Sequence, residues 1–513
     1  MSILSDIRSA FYNLAHLGEI LANSTYQKRM EEAAVRRDYY HGEHRRQFKV
    51  KPLQPDDNLT VNFAGLIVRR GVSMLLGEGI EFDLPGDPEE IENPETGEVE
   101  VIEQPNQQYI DDMWDANRKD VLMHKVTQFG AINGTCYFKI MLDGVESRQD
   151  ENVLLPRLIA LDPLYMEIET DPEDIDTVIA YINRFNIIMN GKDTARKEVT
   201  RRNYAAITNE AGLIIGTGET DSWTIENWYA NADTQGQWVR LYADQLWEYE
   251  FPPIIHWQNL PLAGSCYGEP DITDDVIEIQ DRLNFIAANI SRIIRYHGHP
   301  KTWGRGGFMT DKASWGADEM LMLSGDNAML QNLEMASDLA SSQSFLAFLR
   351  QSLFDIARTT DLGSIKDKLG ALTNFALRVL FFDSMAKLGS KQELYGEALR
   401  ELNHRLLVLA GFSGPEADGG EVVWPDPLPT SEAEETQALE FDLRNELTSR
   451  ETASTMRGYD WVEESGRIDK EREAAREAQG SLGSFFLKQF ERGEGGGERM
   501  MTGRQAQGMM EER

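Results

Sequence analysis

From Tyr267 to Pro300 the chain reads YGEPDITDDVIEIQDRLNFIAANISRIIRYHGHP, and its apolar positions form a seam. Ile272, Val276, Ile279, Leu283, Ile286, Ile290 and Ile293 recur at alternating steps of four and three. That period, about 3.5, predicts a straight helix packed along its length on other helices. At 1.5 Å per residue it would span roughly 40–45 Å. Pro270 and the acids Asp271, Asp274 and Asp275 open it, and Arg292, Arg295 and His297 close it before Gly298 and Pro300. Carboxylates at the start and cations at the end suit the helix dipole, and Gly then Pro is a stop signal. A second segment, Leu339 to Arg358, repeats the theme with Leu346, Leu349, Leu353 and Ile356. The pattern predicts one rod, a turn over 299–337, and a second rod returning.

The remaining periodicities frame these rods. Residues 1–46 read as helical, with Tyr26 to Tyr40 ending at the turn His41-Gly42. Asn58 to Leu76 is an apolar helix with Asn58 and Thr60 as candidate caps. Between Arg70 and Arg118 there is no Lys or Arg against fourteen acids, so the Pro/Glu-rich stretch 85–105 reads as a solvated loop or hairpin. A helix from Gln107 to Gly130 follows. From Gly134 to Trp257, stretches such as TCYFKIML, TVIAYINRF, KEVTRRNYAAI and WTIENWYA are rich in β-branched and aromatic residues, which predicts an antiparallel β unit. Beyond the second rod, TTDLGSIKDKLGALT (359–373) breaks the period. One helix then runs from Asn374 to about Ala410, with Gly389 and Gly396 as candidate bends. GFSGPEADGG reads as a linker, Ser431 to Arg476 as a helical, charge-rich domain, and the Gly- and Met-rich last thirty residues as mobile. The fold class is α+β, predominantly helical.

Composition changes this picture in one respect. At 513 residues the chain has room for two to four structural units, and 86 acidic against 51 basic residues give a net charge of −35. A protein that grips nucleic acid neutralises phosphates with Lys and Arg, so most of this surface repels DNA. A conduit for DNA, whose walls must not stick, remains compatible with that balance. The two cysteines, Cys136 and Cys266, exclude a disulfide framework or a zinc site by count and read as buried free thiols, which fits assembly in the cytoplasm. No apolar run approaches 18 residues, so no membrane-spanning helix is expected. The start, MSILSDIRSAFYNLAHLGEI, carries acids among its apolar residues and reads as an amphipathic helix, not a signal peptide.

Catalytic chemistry finds little footing. Gly191-Lys192 is followed by Asp193 and preceded by Asn186 where a phosphate loop needs glycine. His41 and His44 make at best half a metal site without further ligands, and a helix-ending turn explains them better. Asp271, Asp274, Asp275 and Glu278 suit a Mg²⁺ site only in a nuclease context that the flanking sequence lacks, so they read as a solvated helix start. No catalytic residue, metal or cofactor is assigned. Two non-enzymatic features remain. The turn between the rods holds Lys301, Arg305 and Lys312 beside Trp303, Phe308 and Trp315, a docking surface or a hairpin with a buried tryptophan. The loop that starts at Thr359 holds Asp361, Lys366 and Lys368 in an otherwise acidic chain.

The order of parts resembles that of the portal proteins of tailed bacteriophages. The resemblance runs over residues 26–476, through the early helix ending in YYHGEH, NLTVNFAGLIVRRGVSMLLGEGIEF, PLYMEIETDPEDIDTVIAYINRF, and IIHWQNLPLAGSCYGEPDITDDVIEIQDRLNFIAANISRIIRYHGHPKTWG. It continues through LGALTNFALRVLFFDSMAKL to LTSRETASTMRGYDWVEESGRIDKEREAA. The family has no catalytic signature, and the succession carries the weight. It implies a ring, usually of twelve subunits, at one vertex of the capsid. On this chain it implies a wing over 1–267, stem helices over 268–297 and 338–358, and a clip over 298–337. A tunnel loop over 359–373, a long wing helix over 374–412, a linker and crown over 413–480 and a tail over 481–513 follow.

The resemblance also implies a stem channel face at Asp274, Glu278 and Asp281, tunnel-loop contacts at Asp361, Lys366 and Lys368, and clip docking through Lys301, Trp303, Arg305, Phe308, Lys312 and Trp315. Implied partners are other copies of the chain, the terminase large subunit, the major capsid and scaffolding proteins, a head-completion or adaptor protein and double-stranded DNA, with no membrane. The expected location is the virion's capsid vertex, after assembly in the host cytoplasm. A long-helix structural scaffold and a Mg-dependent nuclease using residues 271–281 are the competing readings.

Overall fold

The computed structural model describes residues 24–49, 56–77, 79–86, 89–92, 99–102, 104–147, 153–171, 173–208, 214–298, 301–308, 323–333, 339–361, 363, 374–427, 432–445, 447–459, 461, 464–468, 470 and 472. They separate into two compact units, residues 1–427 and 428–513.

In the first unit, α1 (Ser24–His41) stops where Gly42 takes a φ of +85°. Helix α2 (Phe63–Leu76) starts at Asn62, whose side chain accepts from the Gly65 N–H at 2.8 Å; the cap lies nearer the apolar run than the expected Asn58 or Thr60. Short strands β1 (Glu81–Asp83), β2 (Glu89–Glu92) and β3 (Val99–Ile102) follow, with β2 and β3 paired as an antiparallel hairpin within the acidic stretch. The helix expected over Gln107–Gly130 is two, α3 (Pro105–Ala116) and α4 (Lys119–Asn133), broken where Arg118 enters the left-handed region at φ 57°. Asn117 explains the break. Its amide donates to Met113 O and Pro156 O, and its oxygen accepts from the Leu158 N–H at 2.7 Å.

Those last two partners lie on a strand, and the strands occupy the region their composition marks out. They are β4 (Thr135–Glu146), β5 (Leu154–Ala160), β6 (Met166–Thr170), β7 (Val178–Met189), β8 (Lys192–Thr208), β9 (Ile214–Ala230), β10 (Val239–Arg240), β11 (Gln245–Trp247) and β12 (Ile254–Gln258). All pairings are antiparallel: β12-β4-β5 form one sheet, and β10-β9-β8-β7-β6, with β11 also on β9, form another. Lys139 on β4 and Glu198 on β8 meet at 2.5 Å and tie the sheets together. Edge strand β5 carries Pro156 and is clasped by the Asn117 amide, which occupies hydrogen-bonding positions an incoming strand would need.

Next come the rods and the long helix: α5 (Asp274–Gly298), β13 (Lys301–Phe308), β14 (Leu323–Leu333), α6 (Leu339–Ile356), α7 (Asn374–Leu380), α8 (Phe382–Ala410) and β15 (Glu421–Val423), which pairs with β1. The helix expected over Asn374–Ala410 breaks at Phe381, whereas α8 runs unbroken through Gly389 and Gly396. The stretch GFSGPEADGG folds onto α8 instead of linking domains. Ala417 is buried, and a Cβ on Gly419 would lie 1.9 Å from Arg400 O. The core of this unit lies between α2, α3, α4, α5, α8 and the three-stranded sheet. Its centre holds Trp114, stacked on Phe82 at 5.1 Å and donating to Asn403 Oδ1 at 2.9 Å, and Trp257, edge-on to Tyr395 at 5.5 Å.

In the second unit, α9 (Glu432–Arg444) and α10 (Arg450–Met456) are linked by Arg457, which donates to Thr436 Oγ1 at 2.6 Å. The Ser449 hydroxyl caps α10 by accepting from the Thr452 N–H. The Gly- and Met-rich C-terminal stretch and the amphipathic N-terminal segment lie outside the described residues.

Candidate functional site

The two rods are antiparallel and rooted at one point. Lys387 on α8 lies 3.0 Å from Asp271, just before α5, and donates to the carbonyl of Ala357, just after α6, at 2.9 Å. The start of the first rod and the end of the second therefore share one ammonium. The seam between the rods is filled best near this root: Ile272, Val276, Leu283, Leu353 and Phe354 are buried. Toward the hairpin β13-β14 it thins. Ile286, Ile290 and Ile293 are half-buried, while Ile294, Phe345 and Phe348 stand 54%, 51% and 62% exposed, the two phenylalanines stacked at 6.3 Å.

Asp271 corrects the reading of a solvated acidic helix start. It is 2% exposed, and α5 begins three residues later. Its backbone N–H donates to Ala131 O at 2.7 Å, and its carboxylate takes Lys391 at 2.8 Å as well as Lys387. Burial raises its pKa, but the two lysines outweigh that and hold the carboxyl down at about 2, so the ion pair is charged. Lys391 is itself pushed below its ordinary value by burial. Beside them the Tyr395 hydroxyl donates to Asn259 Oδ1 at 3.2 Å and sits 3.1 Å from Cys136 Sγ, a thiol whose pKa burial pushes up to about 12. Cys136 is buried as expected, whereas Cys266 is half-buried.

A second polar clamp fixes the middle of α5. Gln280 and Asn284, one turn apart and both buried, bond to the backbone that leads into α2. Gln280 accepts from the Phe63 N–H at 3.0 Å and donates to Val61 O at 2.7 Å, and Asn284 accepts from the Val61 N–H at 3.0 Å. Asn284 also donates to His44 Nδ1 at 2.8 Å, which leaves His44 Nε2–H to donate to Tyr39 O at 3.0 Å. His44 stacks on Tyr39 at 4.6 Å and its pKa is lowered by burial. These partners supply a structural role for the YYHGEH turn. Among the described residues no group of three or more His, Cys, Asp and Glu is placed to hold a metal.

The other residues singled out in the sequence fall as follows. Asp274 and Glu278 are exposed on α5, with Asp274 3.7 Å from Arg36. Asp281 is half-buried and turned toward α1, accepting from the Tyr39 hydroxyl at 2.6 Å with Arg45 3.9 Å away. Lys301, Trp303, Arg305 and Phe308 lie on β13, whose register with β14 pairs Trp303 with Gln331 and shifts between Arg305 and Gly307. Lys312, Trp315, Lys366 and Lys368 lie outside the described residues. Asp361 accepts from Arg350 at 2.7 Å and from the Gly363 N–H at 3.0 Å. The sequence reading missed Lys387 and Lys391. Two lysines four apart within an apolar helix (DSMAKLGSKQEL) are the signal that marks them.

The rods are thus pinned at one end, followed by a hairpin at the other, and incompletely covered between. The model of a family described as phage portal protein, SPP1 Gp6-like, matches residues 22–478, and the chain belongs to that family. Portal proteins are structural and not enzymatic, the connectors between the head and tail of a bacteriophage at the capsid vertex. No curated protein matches the sequence significantly. No helix among the described residues is long and apolar enough to cross a membrane.

Proposed function

We propose that the chain is one subunit of a ring, with twelve copies as the expected number, through which double-stranded genomic DNA enters and leaves the capsid. The observation that carries this reading is the pair of rods within a chain of the portal family. Their apolar seam is covered near the root and left partly open toward the hairpin, where Phe345, Phe348 and Ile294 need a neighbour. On this reading α5 and α6 are the stem, the β13-β14 hairpin is the clip, residues 359–373 are the tunnel loop and α8 is the long wing helix. Residues 1–267 supply the rest of the wing, and α9 and α10 belong to the crown. The net charge of −35 supports a bore that repels DNA evenly, with the exposed Asp274 and Glu278 on α5 the acids proposed to face it. Asp281 contributes less, being engaged by Tyr39.

Negative-stain electron microscopy with native mass of the purified protein tests the assembly. Closed rings with a central hole support it, and a stable dimer or a filament points instead to a long-helix scaffold.

Lys366 and Lys368 are the proposed phosphate contacts of the tunnel loop. Alanine at both is expected to leave rings intact while altering the length or retention of packaged DNA; unchanged packaging would make them bystanders. The clip is the proposed dock for the terminase large subunit during packaging and for a head-completion protein afterwards. Alanine at Trp303 and Trp315 is expected to spare ring assembly and cut terminase binding at least tenfold. Unaltered affinity in a pull-down or titration removes that role.

A further inference from the structure

The C-terminal end of α6 is built in a way that packing alone does not account for. Arg358, the residue that terminates it, has a φ of 52°, a region in which glycine or asparagine normally ends a helix. Its N–H bonds to Asp355 O and the next N–H, of Thr359, bonds to Phe354 O, so the strained conformation is part of a regular helix stop. The side chain does not repay the strain by pairing: it is exposed, with no hydrogen-bond or ion-pair partner among the described residues. A non-glycine residue held in this region, with its backbone satisfied by the helix stop but its side chain unpartnered among the described residues, points to use of that side chain.

Two further arginines converge on the same place. Arg350, two turns earlier on α6, bonds to Asp361 at 2.7 Å and keeps a buried Nε with no hydrogen-bond partner. Arg70 reaches from α2 to the carbonyl of Thr360 at 3.0 Å, and both guanidiniums lie over the Phe354 ring, at 5.5 Å for Arg70 and 6.0 Å for Arg350. A cleft of about 460 Å³ opens between Arg350, Arg358, Thr360, Ser384 and Asp361. It supplies guanidinium forks and two hydroxyls, the donor set that suits a phosphodiester oxygen. Asp355 and Asp383 also border it, but both are exposed and their charges are screened by solvent and salt. Among the described residues that line it, Asp361 is the anion bonded to an arginine.

We propose that this cleft is a binding site for a phosphate of the DNA backbone, in which Asp361 occupies the anion position when DNA is absent. The assignment rests on the portal reading. It adds to that reading a contact at the root of the rods, distinct from the two loop lysines, and an internal carboxylate that keeps the contact weak. A carboxylate competing for Arg350 suits a channel whose cargo must slide, since each phosphate gains only the difference between two anions.

The test is fluorescence anisotropy of the full-length protein with a short fluorescein-labelled duplex at low salt, with native mass recorded on the same samples. Arg358→Gly relieves the strained φ while deleting the charge. It is expected to raise the unfolding midpoint and to weaken duplex binding about fivefold, with a shallower dependence of affinity on salt. Arg358→Lys is expected to keep most of the affinity, and Asp361→Asn to tighten binding by a similar factor. A more stable Arg358→Gly protein with unchanged affinity and salt slope overturns the site, as does weaker binding by Asp361→Asn. The two readings fail separately. Rings whose duplex affinity ignores these substitutions sink the cleft and leave the portal assembly standing. A protein that forms no ring yet shows the expected affinity changes does the reverse.

Discussion

Replacing Asp271 by alanine is expected to destabilise the first unit by roughly 3–5 kcal/mol, because it leaves two buried ammonium groups facing each other without their carboxylate. Lys391 is 2% exposed, and Lys387 also holds the carbonyl of Ala357 at the end of α6. Urea titration of the two proteins measures the difference directly. A cost below about 1 kcal/mol would mean that the ammonium groups find water or another anion in place of the carboxylate, and that the triad is not what pins the rods. Substituting all three residues together, Asp271→Leu with Lys387→Met and Lys391→Met, is expected to recover most of the loss, since removing a buried ion group whole costs less than orphaning one member.

The same triad gives a pH signature of definite sign. The folded carboxyl titrates at about 2, below its ordinary value of 3.8, so its contribution is complete above the unfolded value and disappears as pH falls from about 4 through 2. That contribution is about 2 kcal/mol. The stability gap between the native protein and Asp271→Ala should therefore narrow as the pH falls from about 4 through 2. A gap that widens below pH 4 contradicts the assignment.

Gly134→Ala is the second substitution with a large expected effect, and its cause is backbone against backbone. Gly134 ends α4 at φ +88°, and a Cβ built on it would lie 2.1 Å from the carbonyl oxygen of Gly268, in the segment that leads into the rods. Neither side can retreat cheaply. The Gly134 carbonyl accepts from the Asn259 N–H at 2.8 Å, and Asp271 is tied to Ala131 just upstream. The left-handed conformation alone costs an alanine roughly 1 kcal/mol, and the clash should bring the total to about 3 kcal/mol. Gly191→Ala is the control, with φ +74° and nothing within 4 Å, so it carries the conformational cost without the collision. Equal losses for the two in thermal or urea unfolding would show that the contact with Gly268 yields.

These effects also indicate what the linear sequence reveals. The rods were legible because a seam of period 3.5 is a local signal, and the strands between Gly134 and Trp257 because β-branched and aromatic clustering is local too. Asp271 was misread for the opposite reason. An acid near a helix start satisfies the dipole rule whether or not it is buried, and its two lysines lie more than a hundred residues further on. The breaks at Asn117 and Phe381 escaped similarly, Asn117 being held by a strand that begins more than thirty residues later. Glycines at 389 and 396 drew attention in α8, yet a helix packed along its length keeps its course through them. Arg358 left no trace, since only the backbone angle distinguishes it from any helical arginine.

Anchoring both rods on Lys387 turns them into a lever. A helix of 25 residues is roughly 37 Å long at 1.5 Å per residue, so a tilt of about 5° at the root would swing the far end by roughly 3 Å. In the proposed ring the root would stay packed while the tip travels, and copies about the axis would widen or narrow the opening at the hairpin end by twice that amount. The aperture of such a device is set far from the place where it is held.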